Sequence, residues 1–192
     1  MLAKRFIALV FVLIVAACDN YKDPVATLQD AQERKASSYV AYGGEGGRQY
    51  VDAALITPAN VQQLQPLWSY HTGEVSQGSS EVRSSTAFEN TPILVEGMLY
   101  LCTPFNRVVA LDPATGAEFW SYDPQIDLKG NYSNQLVCRG VSYWEDDQQR
   151  TNQTCSRRIV TATNDTRLIA MDAKTGELCT SFGSGGTVDT SR

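Results

Sequence analysis

The 192-residue chain lacks what several large protein classes require. It has no basic excess: lysine and arginine number 16 against 21 acidic residues, for a net charge of −5. Phosphate backbones are bound by basic faces, so nucleic acid is excluded as a partner. It has five cysteines but no C-x-x-C pair, which argues against zinc and thioredoxin-type chemistry. The Gly-rich stretch Tyr42-Gly43-Gly44-Glu45-Gly46-Gly47-Arg48 fits neither GxGxxG nor Gly-Lys-Ser/Thr, so it reads as a turn and not a phosphate cradle. The longest apolar run, Phe6 to Ala17, is too short for an ordinary membrane-spanning helix.

That run has a different meaning. Lys4 and Arg5 precede it, and Val15-Ala16-Ala17-Cys18 ends it. Small residues before a Cys at the end of such a stretch resemble a bacterial lipobox. Residues 1–18 are expected to be a lipoprotein signal peptide, with Cys18 as the lipidated residue. A plain signal peptide or N-terminal anchor is the alternative. The implied location is the periplasmic side of the bacterial cell membrane. Asp19 resembles an inner-membrane retention signal, but that rule depends on the host, so inner and outer membrane both stay open. Export brings an oxidising compartment. Cys102, Cys138, Cys155 and Cys179 then allow three pairings, with at least one disulfide expected. Residues 19–37 are polar and read as a tether, helical from Asp23 to Lys35.

Charged residues make up only 19% of the chain, and the rest breaks into short strand-length pieces between turn formers. Leu67-Trp68-Ser69-Tyr70 alternates. Ile93-Leu94-Val95 and Met98-Leu99-Tyr100-Leu101 flank Glu96-Gly97, a hairpin signal. Arg107–Leu111, Glu118–Tyr122, Val137–Trp144, Arg157–Thr163 and Arg167–Met171 continue the series.

Two of these pieces lead into one signature, repeated sixty residues apart. Ala110-Leu111-Asp112-Pro113-Ala114-Thr115-Gly116 and Ala170-Met171-Asp172-Ala173-Lys174-Thr175-Gly176 both read AxDxxTG. The first continues to Trp120; the second has Thr180 in that place. A period of this size marks stacked or radially repeated units, here propeller blades. Ala packs where blades approach closely. Asp and Thr bond the backbone of their own turn. Gly supplies the positive φ that closes it. Trp buries a ring between blades while its N–H finds an acceptor. Blade packing is the expected role of Trp68 and Trp120, ahead of sugar stacking; the strand context of Trp144 places it toward the propeller axis. His71, the chain's one histidine, reads as a blade-edge residue.

Several stretches together resemble the pyrroloquinoline quinone (PQQ)-dependent dehydrogenases, nearest to their membrane-bound glucose dehydrogenase group. They are Tyr42-Gly43-Gly44 with Gly47-Arg48, ITPANVQQLQPLW (56–68), ENTP (89–92), LYLCTP (99–104), ALDPATGAEFWSYDP (110–124), CRGVSYW (138–144) and LIAMDAKTGELC (168–179). The resemblance covers residues 38–192. It implies an all-β fold, a partial eight-bladed quinoprotein propeller of about two to three four-stranded antiparallel blades. It implies oxidation of a sugar, polyol or cyclic alcohol, with hydride passing to PQQ, a Ca²⁺ or Mg²⁺ polarising the quinone, and ubiquinone or a cytochrome accepting electrons.

The resemblance also implies site residues. Arg139 resembles the arginine that clamps a PQQ carboxylate, a pairing that suits a guanidinium fork. Glu89 resembles the acidic residue at the cofactor edge near it. Thr163 resembles a hydroxyl donor to a PQQ carboxylate. The departures are His71-Thr72-Gly73-Glu74 where the glucose enzymes tend to have Arg-Thr-Gly-Asp, Trp144 where some carry His, and the absence of a vicinal Cys-Cys pair. They weaken glucose as the substrate and separate the chain from the methanol and ethanol branches. At the sixty-residue period, the residues after Cys18 supply about three blades. The catalytic base and the metal ligands lie further along in the family, so none is assigned within this chain, and residues 1–192 alone are expected to be inactive. The rival reading is a lipid-anchored, non-enzymatic propeller scaffold resembling the outer-membrane assembly lipoproteins; it gives no reason to keep CRGVSYW with Glu89.

Overall fold

A computed structural model of the chain describes residues 39–49, 55–132, 135–146 and 153–191. The expected leader, Cys18, and the tether with its helix lie outside the described residues. What is described belongs to one unit, Ser37–Arg192.

Among the described residues, eight strands form two four-stranded antiparallel meanders. The first sheet runs β1 (Ile93–Val95), β2 (Met98–Cys102), β3 (Val108–Leu111) and β4 (Glu118–Tyr122), paired in that order. The second runs β5 (Ser142–Glu145), β6 (Arg157–Ala162), β7 (Arg167–Asp172) and β8 (Thr187–Asp189). The β1–β2 hairpin closes at Glu96-Gly97, with Val95 opposite Met98. Both turn residues have positive φ, 49° and 78°, the geometry that matches strand twist in a two-residue hairpin. Tyr39 pairs with Leu94 on the free side of β1.

The hydrophobic pattern explains the stacking. Tyr100, Cys102, Val108 and Ala110 pack against Ile159, Ile169 and Met171 of the second sheet. On the other face of the first sheet, Leu101, Val109 and Leu111 pack against Trp68 and Tyr70. Covered on both faces, β3 is buried along its whole length, so Val-Val-Ala-Leu reads as a continuous apolar run rather than an alternating one.

The repeated signature does the same work twice. Asp112 Oδ1 accepts the amides of Ala114 and Thr115 (2.7 and 3.0 Å). Asp172 Oδ1 accepts those of Lys174 and Thr175 (both 3.0 Å). Gly116 and Gly176 have φ of 72° and 75°. Above each lies a tryptophan from the preceding repeat: a Cβ on Gly116 would sit 2.6 Å from the Trp68 ring, and one on Gly176 2.6 Å from the Trp120 ring. The indole of Trp68 donates to the Pro113 carbonyl, and that of Trp120 to the Ala173 carbonyl, each at 3.0 Å. Both tryptophans are thus inter-repeat staples.

Three boundaries differ from the sequence reading. Leu67–Tyr70 has no ladder partner among the described residues; it serves as a packing strip that carries Trp68 and Tyr70. The strand expected from Val137 begins only at Ser142. Residues 136–139 are held instead by single links: a Leu136–Thr86 bridge, a disulfide at Cys138, and a backbone bond from the Thr91 amide to the Arg139 carbonyl. The short β8 went unread; it completes the second sheet after a detour through Thr180–Gly186, where the second signature has lost its Trp. The Gly-rich stretch at 42–48 folds as a turn, with the Gly43 amide bonded to the Tyr39 hydroxyl (3.0 Å). Two disulfides join the four cysteines, Cys102–Cys138 and Cys155–Cys179.

Candidate functional site

Chain direction sorts the loops. The start of β1, the β2–β3 connection, the approach to β5 and the β6–β7 connection meet at one end of the sheets. The Cys102–Cys138 disulfide, the Thr91–Arg139 backbone bond and a bond from the Asn164 amide to Asn106 Oδ1 (2.7 Å) tie them together. The AxDxxTG turns lie at the other end.

Glu89 and Arg139 meet at the tied end. Arg139 Nη2 lies 2.9 Å from Glu89 Oε2, with side chains 78% and 43% exposed. Most of the guanidinium fork therefore faces outward. Asn90, beside Glu89, and Asn164, beside Thr163, each have a buried Oδ1 without a hydrogen-bond partner. Such groups are costly to leave unpaired.

Thr163 is at the same end but is engaged differently. It is buried. Its hydroxyl donates to the Asp165 carboxylate and accepts the Arg167 amide (3.2 Å). The first sheet repeats this turn: Thr103 Oγ1 accepts the Arg107 amide (3.0 Å). Thr103 and Arg107 precede Thr163 and Arg167 by sixty residues, the period of the signature. Extending the repeat upstream from Ala110 and Ala170 would have exposed this second shared element. It marks the hydroxyl of Thr163 as a turn closure common to both sheets.

Each turn arginine also holds an acid. Arg107 Nε donates to Glu74 Oε1 (3.1 Å), and Glu74 Oε2 takes the Phe105 amide (2.7 Å). Arg167 Nη2 donates to Asp165 Oδ2 (2.6 Å) and to the Pro124 carbonyl (2.7 Å). Burial acts to raise the Asp165 carboxyl, but the Arg167 and Thr163 bonds outweigh it and hold it below the ordinary carboxylate value. A depressed value stabilises the fold above the unfolded Asp value of about 3.9, and the contribution is lost as pH falls through the folded value. Asp165→Asn is therefore expected to lose stability at pH 7, with the gap to the parent closing below about pH 4. Urea melts across that range would refute this by showing a constant gap.

His71 is exposed. Trp144 is 44% exposed on β5, with the Arg158 guanidinium 4.6 Å from its ring centre. Sequence reading missed Asn106, fully buried with positive φ, although it links both sheets at this end. Among the described residues no group of three or more His, Cys, Asp or Glu gathers as a metal site. None of the described helices is long and apolar enough to cross a membrane.

Residues 39–192 match the family model "PQQ: Glucose/ethanol/alcohol dehydrogenase, beta-propeller domain". The chain is 41% identical over 155 residues to the quinoprotein glucose dehydrogenase of Escherichia coli, covering 78% of this chain and 19% of that protein. It is 37% identical over 172 residues to the glycerol dehydrogenase large subunit of Gluconobacter oxydans, covering 87% and 23%. Among solved structures, the quinohemoprotein alcohol dehydrogenase of Comamonas testosteroni superposes with a TM-score of 0.57 at 29% identity, covering 78% of this chain and 20% of that one. The chain thus spans about a fifth of the length of these relatives. With two blade-like sheets stapled by tryptophan, and the family model matched from the first described residue, the chain belongs to the β-propeller family of the PQQ-dependent glucose, ethanol and alcohol dehydrogenases.

Proposed function

We propose that this chain forms the opening blades of a lipid-anchored PQQ-dependent dehydrogenase that oxidises a sugar, polyol or cyclic alcohol. The observation that carries the reading is the Glu89–Arg139 pair at the tied end of the sheets. Its donor set suits the cofactor: a guanidinium fork binds a planar carboxylate through parallel N–H bonds. The unpartnered Oδ1 atoms of Asn90 and Asn164 at the same end are acceptors for a ligand's N–H or O–H. PQQ, when bound, supplies the hydride acceptor that amino-acid side chains lack.

The residues of this chain have narrower tasks. Arg139 binds and orients a cofactor carboxylate. Glu89 fixes the Arg139 fork from one side and leaves the other open. Thr163 shapes the rim by closing its turn. The Ca²⁺ or Mg²⁺ ligands, the proton-accepting carboxylate and the contacts to ubiquinone or a cytochrome belong to further parts of the propeller, and Cys18 holds the assembly to the membrane through lipid. On this reading residues 1–192 bind PQQ without turning over a sugar.

The test is titration of the purified chain with PQQ in Ca²⁺, read by quenching of tryptophan fluorescence. Arg139→Ala is expected to weaken binding by about ten- to a hundredfold, the scale of a lost charge-assisted hydrogen bond. Equal binding by parent and variant would remove Arg139 from the site. PQQ-dependent dye reduction by residues 1–192 with a sugar would overturn the proposed inactivity.

A further inference from the structure

The Glu89–Arg139 pair does not hold itself in place. An ion pair this exposed contributes little to its own geometry. Behind it, buried links converge on one sulfur. Cys138, the neighbour of Arg139, is disulfide-bonded to Cys102 at the end of β2, and both cysteines are buried. Asn90, the neighbour of Glu89, donates its Nδ2 to Cys102 Sγ at 3.1 Å. The Thr91 amide donates to the Arg139 carbonyl at 3.0 Å. Close passage is needed here: a Cβ on Gly140 would lie 3.3 Å from the Thr91 carbonyl oxygen. Cys102 thus anchors both arms, the Glu89 arm by the hydrogen bond from Asn90 and the Arg139 arm by the disulfide to Cys138.

We infer that the Cys102–Cys138 disulfide is the positioning device for the Arg139–Glu89 pair, and that it sets how well Arg139 captures the cofactor carboxylate. The capture part rests on the proposed function; the positioning part does not. Cys155–Cys179 provides an internal control. It lies at the opposite end, joining the residues before β6 to those after the Asp172–Gly176 turn. A purely structural account gives the two disulfides the same kind of effect; a positioning account separates them.

The experiment uses the full chain with Cys102→Ser/Cys138→Ser or Cys155→Ser/Cys179→Ser. The readouts are amide hydrogen exchange at Thr91 and equilibrium binding of PQQ. Loss of Cys102–Cys138 is expected to speed Thr91 exchange and to weaken PQQ binding, each by about tenfold or more. Loss of Cys155–Cys179 is expected to lower thermal stability while leaving both readouts unchanged. Asn90→Ala keeps the covalent link and removes the bond to Cys102 Sγ together with the Oδ1 acceptor, so its readout is Thr91 exchange alone. It replaces the first variant if that one does not fold, and it should speed Thr91 exchange to a smaller degree. Unaltered Thr91 exchange in the folded variant overturns the inference, as does an equal response to loss of either disulfide. If Thr91 loses protection while the parent chain binds no PQQ, the positioning role stands and the proposed function falls.

Discussion

Replacing Trp120 with alanine is expected to cost about 3–5 kcal/mol, the range for removing a large buried aromatic. The ring is 9% exposed. It lies on Gly176, and its centroid is 5.9 Å from that of Tyr100. The Ala173 carbonyl takes the Trp120 indole N–H and the Tyr100 hydroxyl, each at 3.0 Å. Both donors come from the first sheet and the acceptor from the second, so the truncation opens a cavity where the sheets are stapled. It also leaves one lone pair of Ala173 unsatisfied. Urea denaturation followed by far-UV circular dichroism measures the loss. Phe119→Ala, one residue away but 55% exposed, is the control and should change stability little. A loss below about 1 kcal/mol for Trp120→Ala would remove the staple from the account of the fold.

The staple was legible because its parts follow from residue chemistry. An Asp four positions and a Thr one position before a Gly imply a side-chain-closed turn, and the sixty-residue period implies that the following tryptophan serves a neighbour. The Glu96-Gly97 hairpin was legible for the same local reason. Leu67–Tyr70 misled because alternation reports which side chains are buried, not whether a backbone partner exists. Here Trp68 and Tyr70 pack on the first sheet while their backbone forms no ladder among the described residues. The stretch from Val137 misled for a related reason: its burial comes from the disulfide and the Leu136–Thr86 bridge. At the site, the family resemblance nominates Arg139 and Glu89, yet fifty positions separate them and only the fold puts them 2.9 Å apart. Thr163 shows the converse. The resemblance assigns its hydroxyl to a PQQ carboxylate, and what the sequence does not display is that the same hydroxyl closes a turn of the kind that Thr103 closes.

The two copies of the signature should respond unequally to the same substitution. Asp112 serves its own turn, accepting two amides. Asp172 is 5% exposed and does more. Its Oδ1 takes the amides of Lys174 and Thr175 and the Thr175 hydroxyl (3.3 Å), while its Oδ2 takes the Cys155 amide at 2.6 Å. Asp172 therefore holds the β7 turn and the segment entering β6 together. Asp112→Ala is expected to cost about 1–2 kcal/mol, and Asp172→Ala about 3–4 kcal/mol, since charged acceptors are worth more and the stranded donors lie deeper. Cys155 has a φ of +66°, a conformation that L-residues seldom adopt unless surrounding contacts require it. Its amide bond to Asp172 and its disulfide to Cys179 are two such contacts on one residue. Asp172→Ala combined with loss of Cys155–Cys179 should then deviate from additivity by about 1 kcal/mol or more. Pairing Asp112→Ala with the same disulfide loss should be additive within about 0.5 kcal/mol, because no bond joins them. Equal costs for the two aspartates, or additivity in both cycles, would mean that the second signature has not taken on the joining role that its geometry gives it.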